Sequence, residues 1–297
     1  MQNFHSIYYN DSPEEAVKKA IFYIRRNLIL SYVICMVLLI GIFYFYSKMD
    51  NFLNGVEGVW YGLGHILFSL LYVAMLLIFL ILGLKILLPF SQRPNVQLLL
   101  ILMGDCDPVK MYEVYSVWEQ YDKKGKGKNM FMLQKAQCCR YIPERREEGR
   151  TYLEQLDFKK KQLDVEATRL YNIAVYAKYG NDRVGFEKAK AELEQLSNQY
   201  PGNKIQKKEY ERTLQIVTLQ ELLWDEKDAE ARALLNTFLE TEKTPLNKVM
   251  LHMHFARLDM KVKDYENAKK HLDYVITYGN KLPVVPEAKE LLDTCNM

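Results

Sequence analysis

Two long uncharged apolar runs constrain this chain more than any other feature. Leu28–Tyr46 reads LILSYVICMVLLIGIFYFY, and the run from Ile66 to Leu84 reads ILFSLLYVAMLLIFLILGL. A segment crossing a bilayer must satisfy its own backbone hydrogen bonds through about 30 Å of hydrocarbon, which takes about 20 apolar residues as a helix. Both runs meet that length, and core helices of soluble proteins rarely stay uncharged for so long. The sequence therefore predicts two transmembrane helices, at about 28–46 and 66–88, inside an N-terminal anchor spanning residues 1–94. The long preface before Leu28 and the bulky aromatics that close the run argue against a cleaved signal peptide.

The flanking charges predict the orientation. Lys18, Lys19, Arg25 and Arg26 precede the first run, and Lys85 and Arg93 follow the second. Lys48 is the only Lys or Arg of the stretch between them. The positive-inside rule places both termini in the cytoplasm and the short loop outside, giving a multi-pass protein of the cell membrane. With no eukaryotic address signal in view, a bacterial plasma membrane is the expected location. Tyr44, Tyr46, Trp60 and Tyr61 fit an aromatic belt at the outer interface. Neither run holds an acidic residue, so the hairpin reads as an anchor rather than a transport path. Ser12 and Pro13 open a helix expected to continue unbroken to Tyr46.

After a short break at Ser91–Pro94 the character changes. Residues 95–297 show helical periodicity with very little strand alternation. Turn signals at Gly104-Asp105, Lys123–Lys128, Pro143, Gly180–Asp182, Pro201–Asn203, Asp225–Asp228, Thr244-Pro245 and Gly279-Asn280 cut it into helices of ordinary globular length. The fold class is all-α. Four helices share a small residue followed four positions later by Leu: Gly149/Leu153, Ala189/Leu193, Ala231/Leu235 and Ala268/Leu272. The small positions lie 40, 42 and 37 residues apart, a period that signals stacked helical hairpins. A small side chain lets two helices approach, and the Leu one turn on fills the gap.

Here the chain resembles the tetratricopeptide repeats. Ala177, Phe186, Ala189, Leu193 and Pro201 fall at that family's small, aromatic, small, large and proline positions, and Ala256, Tyr265, Ala268 and Leu272 repeat most of the pattern. The resemblance implies a solenoid of four to five hairpins over residues 95–297, with Val284–Thr294 as a terminal cap. The periods exceed that family's 34 residues. The resemblance also implies that the first helix of each hairpin lines a concave face that binds partner peptides. On that reading Tyr171, Tyr176 and Tyr179 are the candidate groove residues, Tyr offering a rigid apolar body and a hydroxyl.

No catalytic constellation stands out. HExxH, GxSxG and P-loop patterns are absent from the sequence. His252-Met253-His254 looks like a metal pair, but residues two apart on a helix point about 200° apart and cannot share one ion. Cys138-Cys139 reads as a pair of small packing residues, and five cysteines without paired spacing exclude a disulfide scaffold. Lys123, Lys124, Lys126 and Lys128 form the most biased stretch, candidates for contact with anionic lipid heads in an otherwise solvated loop. A net charge of +3 gives no bulk case for nucleic acid. The expectation is a non-enzymatic, cofactor-free scaffold or adaptor that presents a solenoid to a protein or peptide partner at the bilayer. A subunit of a larger membrane complex and a peptide-sensing regulator are the alternatives.

Overall fold

The computed structural model describes residues 5–53, 59–83, 88–156, 163–198 and 204–296, with no strand among them. The chain divides into two compact units. One is Glu15–Leu98; the other joins Leu99–Met297 with Met1–Glu14.

The smaller unit begins with α1 (Pro13–Leu53), an unbroken helix as expected, running several residues past Tyr46. Its stretch Pro13–Lys48 has a mean hydropathy of 2.7 in its most apolar window, of which only 6% is buried. That is long and apolar enough to cross a membrane. Among the described residues one helix, not the expected two, meets that test. Helix α2 (Val59–Leu82) carries the second apolar run, but its described apolar part is only Ile66–Phe79. The remainder of the expected span toward residue 88 includes residues 84–87, which lie outside the described residues, as does the loop at 54–58. Tyr46 at the far end of α1 packs on the rings of Phe68 and Tyr72, with centroids 5.1 and 4.6 Å away.

Helix α3 (Leu88–Met103) overturns the expected break at Ser91–Pro94, because it runs through Pro94. Proline has no N–H for the carbonyl one turn back, which is that of Phe90. The side-chain amide of Asn27, buried on α1, donates to the Phe90 carbonyl instead, at 3.4 Å. The freed acceptor is thus satisfied from a residue distant in sequence, and the helix need not end.

The larger unit is a succession of helices: α4 (Pro108–Tyr121), α5 (Lys128–Cys139), a 3-10 turn at Pro143–Arg145, α6 (Arg146–Glu154), α7 (Leu163–Tyr179), α8 (Arg183–Asn198), α9 (Lys204–Trp224), α10 (Asp228–Thr241), α11 (Pro245–Lys261), α12 (Tyr265–Tyr278) and α13 (Val284–Cys295). Each from α4 onward packs on the next, and α5–α7, α7–α9 and α11–α13 also touch. This two-tier neighbour pattern is compatible with a helical solenoid. The eight small and Leu positions picked out by the repeat are all buried. The Pro201–Asn203 turn lies outside the described residues.

Three of the hairpin turns share one geometry. Asn181, Glu226 and Lys263 adopt φ near +55°, and the next N–H in each reaches back five residues, Asp182 to Ala177, Lys227 to Leu222 and Asp264 to Asp259. That is a Schellman closure of the preceding helix. The succession also returns on itself. Asn280, in the turn before α13, donates its amide to the Asp105 carbonyl at 2.6 Å, and Lys281 pairs with Asp107 at 2.7 Å. The N-terminal segment docks at the same corner. The Ser6 N–H donates to the Asp105 carboxylate at 3.1 Å, His5 Nδ1 lies 2.9 Å from it, and Lys110 Nζ donates to the carbonyls of Tyr8 and Tyr9 at 2.7 Å each.

Candidate functional site

Where the last hairpin returns to the first, the larger unit forms an open cavity of about 400 Å³. Its wall is built from the end of α5 and the following turn, from α6, α7, α9, α10 and α11, and from the start of α13. The apolar part comes from side chains such as Val175, Ile216, Leu219, Phe238, Leu251 and Val284. The rest of the lining is unusually cationic. Arg140, Arg146, Lys178, Arg212 and Arg257 face two carboxylates, Glu242 and Glu287.

Both carboxylates are already engaged. Glu287 receives a two-pronged contact from Arg257, Nε at 2.8 Å and Nη2 at 2.6 Å. Glu242 accepts from Arg212 at 2.5 Å, from the N–H groups of Lys243 and Thr244 at 2.9 and 2.8 Å, and from Asn247 at 3.2 Å. Burial alone would raise the Glu242 carboxyl. The hydrogen bonds from Thr244 and the Arg212 charge outweigh it and hold the group below the usual range.

Three cations remain. Arg140 is 9% exposed, and its guanidinium lies over the rings of Tyr141 and Tyr171, at 4.5 and 5.1 Å from their centroids. Its Nη2 donates to the Tyr141 hydroxyl, while Nε and Nη1 are buried without a hydrogen-bond acceptor. Arg146 sits over the ring of Tyr179 at 4.2 Å, and its Nε is likewise buried without an acceptor. Lys178 donates to the neutral Gln220 amide at 2.9 Å. Burial, reinforced by the charge of Arg257, pushes the Lys178 ammonium down to about 8.

The structure separates the three tyrosines named from sequence. Tyr171 and Tyr179 line the cavity, each under an arginine. Tyr176 is buried elsewhere, its hydroxyl donating to the Ala136 carbonyl at 2.6 Å. Lys123, Lys124, Lys126 and Lys128 are all exposed, away from the cavity lining. His252 and His254 do diverge. His252 turns to α12, its Nδ1 2.7 Å from that of His271 and its ring stacked on Tyr274, while His254 lines the cavity. Burial, then the neighbouring Arg257 and Lys178, push His254 down to about 3. No cluster able to hold a metal is found among the described residues. Cys138 and Cys139 are buried, and burial raises both thiols, Cys139 to about 12, so neither is a ready thiolate.

The arginines and Lys178 were missed in the sequence. One signal was present: Arg140 interrupts the otherwise near-apolar stretch Ala136–Ile142. No protein-family model, no curated protein and no solved structure matches the chain.

Proposed function

We propose that the chain is a membrane-anchored, non-enzymatic interaction protein whose larger helical unit offers its cavity to a segment of a partner. The observation that carries the reading is the occurrence in one chain of a bare apolar helix and a helical unit with an open cationic, aromatic cavity. An apolar surface as long as α1 stays out of water only in lipid or under a partner. The cavity has the size and mixed lining of a binding site rather than of a packing defect.

A two-span anchor with both termini on one side also belongs to this reading. Residues 5–9 are bonded to Asp105 and Lys110 within one compact unit, so a crossing by α1 calls for a return before Leu99. A tetratricopeptide-like stack is favoured by one shared core: Ala177, Phe186, Ala189 and Leu193 pack in a single buried cluster. In the second copy Ala256, Ala268 and Leu272 are buried, whereas Tyr265 is exposed. Confinement to the membrane plane would raise the effective concentration of such a module near membrane-bound partners.

The test is site-specific photo-crosslinking of the full chain in its own cells. A photoreactive side chain at Tyr179 should give a discrete crosslinked product, and one at the exposed Val184 should not. Equal products from both positions, or from neither, would sink the reading.

A further inference from the structure

The cavity holds more cation than its own carboxylates balance. Among the described residues Glu242 and Glu287 are occupied by Arg212 and Arg257, and no carboxylate pairs with Arg140, Arg146 or Lys178. Buried charge is costly unless it is paired, and buried donors are ordinarily satisfied. Here three buried donor positions, Nε and Nη1 of Arg140 and Nε of Arg146, have no acceptor. Both side chains are also held in place. Tyr141 and Tyr171 lie under the guanidinium of Arg140, and Tyr179 lies under that of Arg146, so neither must be ordered at the moment of binding.

We infer that this cavity is a recognition site for a phosphoryl group, with Arg140 and Arg146 donating to its oxygens and Lys178 supplying further charge. Planar guanidinium donors suit tetrahedral oxyanions, and charge-assisted bonds of this kind are the strong ones. A dianion matches three unpaired cations better than a single carboxylate does. The aromatic and aliphatic wall, with Tyr171 and Tyr179 beside the arginines, suits an apolar group attached to the phosphate. The cavity volume accommodates a phosphomonoester of modest size. The inference rests on the reading of the cavity as the partner-binding site and names the chemistry that the bound segment presents.

The experiment measures thermal unfolding of the full chain in mild detergent at constant ionic strength. The probes are inorganic phosphate, phenyl phosphate, benzoate and chloride. Ligand that binds only the folded state raises the midpoint with concentration. The expected result is a rise with both phosphates, larger for phenyl phosphate, and none with benzoate beyond chloride. Arg146→Gln, at a half-buried position, should weaken the response at least tenfold in concentration. Arg140→Met should abolish it. If Arg140→Met does not fold, Arg146→Gln alone decides.

An equal response to benzoate would overturn the inference, since any anion would then serve. So would an undiminished response in Arg146→Gln, which would move binding elsewhere, for instance to the Lys123–Lys128 loop. A response seen only in bilayer discs of anionic phospholipid would assign the effect to lipid headgroups and overturn it too. Crosslinking from Tyr179 that phosphate does not suppress would remove the phosphoryl assignment while leaving the partner reading intact.

Discussion

At the residue scale, Gly149 shows how little room the hairpin contacts leave. A Cβ built there would lie 2.0 Å from the Tyr176 hydroxyl oxygen and 2.7 Å from Cys139 Cβ. The hydroxyl cannot simply move, because it donates to the Ala136 carbonyl. Gly149→Ala should therefore cost about 2–4 kcal/mol, combining overpacking with a lost buried hydrogen bond. Tyr176→Phe alone should cost about 1 kcal/mol. In the double variant the closest of these clashes is gone, so the two costs should sum to more than the pair measures. Denaturant midpoints of the four proteins check this, and strict additivity would refute it. The histidines give a second expectation. Burial lowers His252 to about 4 and His254 to about 3, from 6.5 for the free side chain. The unfolded chain therefore binds protons that the folded chain refuses. Stability is full above about pH 6.5 and falls as the pH drops toward 5, by about 1–2 kcal/mol per histidine. His254→Gln should flatten that slope; an unchanged slope would mean that His254 is not the titrating group.

At the scale of elements, the turns carry information that the helices do not. Glu242 ties the α10–α11 turn together by accepting two backbone N–H groups, Asn247 and Arg212. Thr244, at the cap position of α11, makes no side-chain cap bond, and Glu242 instead fixes the two residues that precede the helix through their N–H groups. Glu242→Ala should destabilise the protein by about 2–4 kcal/mol, since it also strands Arg212. Because the folded carboxyl sits below its ordinary value, the contribution is in place above about pH 4.5 and is lost as pH falls through the folded value. Lys263, at φ +59°, pays for a left-handed backbone with a side chain that has no need to be there. Lys263→Gly should unfold later than Lys263→Val, by about 1–2 kcal/mol, and equal midpoints would discard the argument. These elements also explain what the sequence discloses. The small-then-Leu spacing was legible because burial imposes it on each helix alone. The helix through Pro94 was not, because the group that excuses it, Asn27, lies 63 residues from Phe90. The cavity cations were illegible for the same reason: Arg140 and Glu287 share one wall only after the succession of helices has closed.

At the scale of the whole molecule, the connectivity decides more than hydropathy. Asp105 receives Ser6 and His5 through its carboxylate and Asn280 through its carbonyl, so one corner gathers the start, middle and end of the chain. The apolar stretch Pro13–Lys48 leaves from that unit, and the chain re-enters it at Leu99. If α1 crosses the bilayer, residues 5–9 can bond to Asp105 and Lys110 only when a second crossing brings the chain back. The proposed two-span anchor supplies that return between α1 and Leu99. Ile7 and Lys124 are both exposed and, in this topology, on the same side. Ile7→Cys and Lys124→Cys, each in a Cys295→Ser background, should react with a membrane-impermeant maleimide only after the cells are permeabilised, and to the same extent. Reaction of Ile7→Cys alone in intact cells would mean a single crossing. It would also mean that the bonds from Asp105 to His5 and Ser6 do not form in the membrane, and both the anchor and the corner would have to be redrawn.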